Sequence, residues 1–314
     1  MKEKLLWIDI VKGIGIISVV VGHIFYTPYI YAFHMPLFFI IGGFLFSQKE
    51  IRFYFKSKLR HLLLPYLTFL LIFSVPDTLK YLSINNYEAI YHGVINNLLW
   101  GGEKLHGIKG VFWFVTVFFC TQQVFNFIIQ LRMRKRYWML ILLIAYLIDY
   151  FDLSLPFNIQ VVPMALIFFG IGFYLKRFQI NNYSSNLFIL SSLLFLFLMI
   201  YFCVYVSWNM KHAQYGLPIV PIITATFFCI SLAILSYRLT IINKWEGVKK
   251  HLSQIGTASM SIMFIHQFVH FFMARYLDIN PFLILFFSIY IPFVFHVIIS
   301  KTNPFLRLVF LGYK

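Results

Sequence analysis

The chain has 314 residues, of which 61% are hydrophobic and 11% charged, with a mean hydropathy of +0.82. Soluble proteins carry about 45–50% apolar and about 25% charged residues, so a soluble enzyme, a secreted domain and a disordered chain are all excluded. The formal charge of +16, from 26 Lys and Arg against 10 Asp and Glu, points either to a nucleic-acid partner or to membrane loops held in the cytoplasm by their cations.

A membrane-spanning helix takes about 20 mostly apolar residues. That ruler predicts an all-α integral membrane protein, one polytopic domain over 1–314, with ten spans. They are 5–25, 31–46, 62–79, 111–131, 138–151, 161–175, 187–208, 217–237, 255–276 and 281–300. Pro65 and Pro76 interrupt the third, and the fifth is short. The first is not a cleaved signal peptide, because it holds Asp9 and Lys12 and lacks a small-residue cleavage site.

Ten spans place both termini on one side. Lys2 and Lys4, the even-numbered loops (Lys49 to Arg60, Arg132 to Arg136, Lys176 and Arg177, Arg238 to Lys250) and the tail give that side twenty basic residues. The opposite loops hold five, Lys80, Lys104, Lys109, Lys211 and Arg275. The positive-inside rule therefore predicts N-in, C-in in a bacterial-type plasma membrane. Cations spread over every inner loop also argue against nucleic acid.

Residues 49–61, KEIRFYFKSKLRH, mix aromatic and basic side chains at helical spacing, which predicts an interfacial helix on the cytoplasmic face. The longest outer loop, 85–109, carries Trp100, Gly101, Gly102, Glu103 and His106. The cysteines Cys120, Cys203 and Cys229 stand singly in apolar stretches and read as buried small hydrophobes, with no disulfide framework or zinc site.

Ionisable residues inside a span cost free energy unless paired or solvated, so they are functional candidates by default. The first span has Asp9, Lys12 and His23. Asp9 and Lys12 are i,i+3 and close enough to pair. Lys12 and His23 are eleven positions apart, three turns plus about 20°, so they share a helix face at a separation of roughly 16 Å. Gly13, Gly15 and Gly22 let a second helix or a ligand approach the backbone. A cation near the cytoplasmic mouth and a deeper imidazole suit an anionic substrate led toward a proton acceptor. The alternative is a boundary ion pair and a helix-packing histidine. A short outer turn separates His23 from His34, so the two histidines are expected near one another.

The pattern Asp9-x-x-Lys12-Gly13, Gly22-His23, Phe33-His34-Met35-Pro36-Leu37-Phe38-Phe39 and Gly42-Gly43-Phe44 resembles the opening of the acyltransferase family 3 membrane proteins, above all their fucose 4-O-acetylase-like branch. The family signature is a basic residue, ten intervening residues and a histidine, and Lys12 to His23 keeps that spacing. Lysine stands where the family usually has arginine; it keeps the charge but loses the bidentate fork. Lys56, Lys58 and Arg60 running into Pro65-Tyr66 continue the family order. Gly110-x-x-Trp113-Phe114 and the late His266 follow.

The resemblance implies transfer of an acyl group, usually acetyl, from cytoplasmic acyl-CoA to a hydroxyl of a cell-surface or lipid-linked polysaccharide. On that basis Lys12, Lys56, Lys58 and Arg60 would meet the CoA phosphates, or anchor the loop to anionic lipid. Trp113 would line the acyl path or serve in packing. His23 would be the general base, with Asp9 orienting Lys12, and His34 sharing acid-base work or holding the acceptor. Gln122, Gln123 and Asn126 would serve the acceptor or join helices, and His266 would line the cavity. His266 and His270 are i,i+4, a spacing able to present two metal ligands, but no third ligand accompanies them, and no metal is expected. No permanently bound cofactor is expected; acetyl-CoA is a co-substrate. A flippase or transporter of a polysaccharide intermediate is the rival from another class, though the matching broken helices of inverted repeats are absent from the sequence. Succinyl or another acyl group is the rival within enzymes.

Overall fold

The computed structural model describes residues 6–132, 137–177, 208–242, 244–277 and 279–313. Most of the expected span at 187–208, together with Cys203 and the cations Lys2, Lys4, Arg134, Lys135, Arg136 and Lys314, lies outside the described residues.

The described chain is helical. In order, α1 is Leu6–Phe25, α2 Pro28–Tyr31, α3 His34–Phe44, α4 Ile51–Lys58, α5 Leu64–Ile72, α6 Val75–Ser83, α7 Tyr87–Ile90 and α8 Asn96–Trp100. Then come α9 Trp113–Gln130, α10 Tyr137–Tyr150, α11 Val162–Leu175, α12 Val220–Ile241, α13 Glu246–Thr257, α14 Ser259–Tyr276, α15 Pro281–Ser300 and α16 Pro304–Leu311.

Six helical segments are long and apolar enough to cross a membrane: Leu6–Phe25, Ile51–Ser83, Gly107–Gln130, Pro156–Leu175, Val220–Ile241 and Pro281–Ser300. The bent pair α13 and α14 makes a seventh if counted as one span, while α3 and α10 are shorter apolar helices. The exposed surface is that of a lipid-facing protein. Phe282, Phe286 and Val294 on α15 all lie open, which in water would be unfavourable and in hydrocarbon is the expected state. The basic segment is helical, as its spacing predicts, and α4 runs through a π-helical turn, Leu59–Leu63, straight into α5.

The chain divides into two compact units. One comprises Met1–Ser47, Arg134–Tyr150 and Pro163–Ser259; the other comprises Gln48–Met133, Phe151–Val162 and Met260–Lys314.

Glycines set the packing of the first unit. A side-chain carbon at Gly13 of α1 would strike the Leu252 carbonyl of α13, and one at Gly256 of α13 would strike the Asp9 carbonyl of α1. Gly43 of α3 and Gly172 of α11 meet the backbones of Phe169 and Ile40 in the same reciprocal way. Between apolar helices in lipid the hydrophobic effect offers little net drive, so such close backbone approach is what holds them. A strap, Trp208 to Ile219, closes over α10: the Tyr215 N–H donates to Asp149 Oδ2 at 2.8 Å and the Ile219 N–H to the Tyr146 hydroxyl at 2.9 Å.

In the second unit α4 lies against the C-terminal half of α9. Asn126 brackets the Lys49 backbone, its Nδ2 donating to the Lys49 carbonyl at 2.9 Å and its Oδ1 accepting from the Lys49 N–H at 3.2 Å. The Tyr54 hydroxyl donates to Gln122 Oε1 at 3.3 Å. Deeper in, Phe69 of α5 meets Phe264, Phe295 and Phe310 with ring centroids 4.9, 6.0 and 5.6 Å away, within the range in which aromatic pairs attract beyond their buried area. Past α16, Gly312 takes a φ of 75° and lies against the His61 backbone of the π turn.

Candidate active site

The first unit holds Asp9, Lys12, His23 and His34. α1 forms because its run from Leu6 is apolar and free of proline, and Asp9 in its first turn favours the positive end of the helix dipole. It stops where Tyr26 takes a φ of 50° and Pro28 follows. Lys12 Nζ donates to Asp9 Oδ1 at 3.1 Å, the lysine side chain being 27% exposed and the aspartate 9%. The expected pair is therefore formed, with the ammonium still reachable.

At the other end of α1 the two histidines gather around a residue the sequence did not single out. The Tyr31 ring stands edge-on to His23, with centroids 6.1 Å apart and planes at 85°. It meets His34 in the same manner at 5.1 Å and 86°. His34 is 3% exposed, and its Nδ1 lies 2.6 Å from the Ile30 carbonyl oxygen. A carbonyl can only accept, so Nδ1 carries the proton and the neutral ring keeps its lone pair on Nε2. His23 is half-buried, the more exposed of the two imidazoles.

The glycines flanking this helix face serve neighbouring helices. Gly13 meets α13, Gly15 meets Leu37 and Phe38 of α3, and Gly22 meets Ile30 and Tyr31. Each would crowd if it carried a side chain, which accounts for all three.

The second unit holds Lys56, Lys58, Arg60, Trp113, Gln122 and His266. Lys56 and Arg60 are exposed and Lys58 is half-buried, its Nζ over the Tyr54 ring at 5.3 Å. These cations share one helical run, α4 and the π turn. Gln122 lies beside them, because its Oε1 accepts a hydrogen bond from the Tyr54 hydroxyl. The helix-joining alternative for Gln122 and Asn126 therefore matches the bonds observed. Trp113 is not beside them: it is buried at the start of α9, nine positions before Gln122, or roughly 13 Å along the helix.

His266 is fully buried, and its Nδ1 donates to the Ile262 carbonyl of its own helix at 2.8 Å. His270, one turn on, is 9% exposed. Ser261 and His296 approach to 3.0 Å between Oγ and Nδ1, a pair that sequence spacing does not reveal. Cys120 is half-buried and Cys229 buried, and both are free thiols.

No curated protein and no solved structure matches the chain. The model of the acyltransferase domain of acyltransferase family 3 matches residues 5–301. That stretch takes in α1 with its Asp9–Lys12 pair, the Tyr31 cluster, the α4 cations and His266, and the chain belongs to acyltransferase family 3, as a membrane acyltransferase.

Proposed function

We propose that this protein is a membrane O-acetyltransferase that moves an acetyl group from cytoplasmic acetyl-CoA to a sugar hydroxyl of a cell-surface or lipid-linked polysaccharide. The observation that carries the reading is the content of α1: a reachable cation in its first turns and a half-buried imidazole near its far end. On this reading both termini are cytoplasmic, in the ten-span arrangement of the loop charges. Within the first unit Lys12, oriented by Asp9, is the cation offered to the phosphates of the donor.

His23 is the general base. As the acceptor hydroxyl oxygen attacks the thioester carbonyl carbon, His23 takes the hydroxyl proton. The new C–O ester bond forms, the C–S bond breaks, and the CoA thiolate leaves and recovers a proton, so that His23 ends neutral. Neutral imidazole, with a usual pKa of about 6.5, is abundant at physiological pH and suits this step. An acyl-enzyme is not required, because the acceptor hydroxyl is activated in place.

The test is purified protein in detergent with acetyl-CoA and O-deacetylated surface polysaccharide from the source cells. CoA thiol release and acetyl ester on the glycan should rise together, and His23→Ala should abolish both while the melting temperature holds. Full activity in His23→Ala refutes the assignment of the base. A protein that releases no thiol with any acyl-CoA refutes acyl transfer and leaves a transporter.

A further inference from the structure

His23 lies in the last turn of α1. A helix fixes where its Cβ stands, but χ2 of histidine is a broad, soft torsion. Something outside the helix must aim its nitrogens, and the contacts around Tyr31 form a sequence of supports that does so. The Ile30 carbonyl holds His34 through Nδ1 at 2.6 Å. The His34 ring, almost fully buried, abuts Tyr31 at 5.1 Å, and Tyr31 abuts His23 at 6.1 Å, both near perpendicular. That geometry is the favoured one for aromatic pairs. The Tyr31 hydroxyl contributes less, since it reaches the Gly22 carbonyl oxygen at 3.4 Å, long for an O–H donor.

Gly22 makes the seat possible. A side-chain carbon there would lie 3.0 Å from Ile30 Cγ2 and 3.8 Å from Tyr31 Cε2. The carbonyl that grips His34 belongs to the same residue, Ile30, whose side chain rests on Gly22.

We propose that Tyr31 is a positioning residue of the transfer site: its ring, held by His34, orients His23. This inference rests on His23 being the base. It makes His34 a support, not a proton carrier, and gives the work to the ring of Tyr31 in place of its hydroxyl.

Three variants test it in the acetyl-CoA assay. Tyr31→Phe keeps the ring and should stay within about threefold of wild-type kcat. Tyr31→Leu removes the ring and should lose about tenfold or more in kcat, since misplacing a catalytic group by about 1 Å is enough for such a loss. Its KM for acetyl-CoA should stay within about twofold, because Lys12 is roughly 16 Å away along α1. The double variant Tyr31→Leu/His34→Ala should be no slower than the slower single variant, as expected of supports in series.

A Phe variant as slow as the Leu variant, a Leu variant at wild-type rate, or losses that multiply in the double variant each overturn the proposal. If Tyr31→Leu does not fold, Gly22→Ala replaces it and should lower kcat with the acetyl-CoA KM unchanged; an unchanged kcat overturns the proposal. A wild-type protein that releases no CoA fails the acyl-transfer reading instead. The supports are then read from the ring resonances of selectively labelled His23. These should broaden in the variant lacking the ring and keep the wild-type shift in Tyr31→Phe; identical spectra for both overturn the proposal.

Discussion

Gly256→Ala tests the architecture beneath the site. The added methyl would lie 2.8 Å from the Asp9 carbonyl carbon and 2.9 Å from the Gly13 nitrogen, and nearer still to the Asp9 oxygen. All three are backbone atoms, which cannot swing aside, and ordinary contact begins near 3.4 Å. The Asp9 oxygen sets the requirement, so α1 and α13 must part by more than about an ångström, and overpacking of this kind costs about 1–3 kcal/mol. The displaced residues are Asp9 and Gly13, on either side of Lys12. The expected result is a clear fall in the detergent melting temperature and a loss of activity that persists well below melting, of tenfold order if Lys12 shifts by about 1 Å. Gly247→Ala, on the same helix with nothing within 4 Å of its added carbon, is the control. It should leave melting unchanged or raise it by up to about 1 kcal/mol through helix propensity. Equal melting curves and rates for Gly256→Ala and wild type would refute the backbone contact between α1 and α13.

Three further outcomes follow from the packing. Asn126→Ala removes its two bonds to the Lys49 backbone, leaving the Lys49 carbonyl the bond from Gln130 Nε2 at 2.6 Å, and should cost about 2 kcal/mol in melting, whereas Tyr54→Phe loses one longer bond and should cost less than about 1 kcal/mol. Gly312→Val combines a φ of 75° with a closed approach to His61; it should destabilise by about 2–4 kcal/mol, measured by melting. Burial first, then the Asp149 carboxylate and Tyr146, holds the Tyr215 hydroxyl above its ordinary value. A raised native pKa means that its stabilisation is complete below about pH 10 and is lost as pH rises past the unfolded value. Wild-type melting should therefore fall more steeply above about pH 10 than that of Tyr215→Phe.

The parts of the site that could be read from sequence are those where polarity conflicts with the membrane. Asp9, Lys12 and His23 stand out because charge within a span is costly, and their helical spacing placed the Asp9–Lys12 contact correctly. The nearness of His23 and His34 was legible because a short connection, residues 26–33, cannot carry the chain far. Tyr31 was not, being one of 20 tyrosines in a chain that is 21% aromatic, with nothing in its local sequence to separate it from bundle packing. Gly13 and Gly256 are 243 positions apart, and a glycine announces room for a neighbour without saying which. The 20-residue ruler opened the third span at 62. It measures apolarity, and so could not see that the basic helix α4 continues in line through a π turn.

The two ends of α1 are held by different physics, and that difference bears on how the reaction divides. Around Asp9 and Lys12, α1 meets α13 backbone to backbone, a contact that has no rotamers with which to relax. Around His23 it is met by side chains, Tyr31 and behind it His34, which can be changed one ring at a time. A disturbance at Gly256 moves a helix, and a straight helix carries the displacement toward both ends. It should therefore raise the KM for the donor and lower kcat together. A disturbance at Tyr31 re-aims one imidazole and leaves the helix where it was, so kcat should fall alone. Gly256→Ala thus perturbs the proposed donor-binding end through the frame, while Tyr31→Leu perturbs the proposed proton-accepting end locally, and the contrast between the two variants separates placement of α1 from aim of His23.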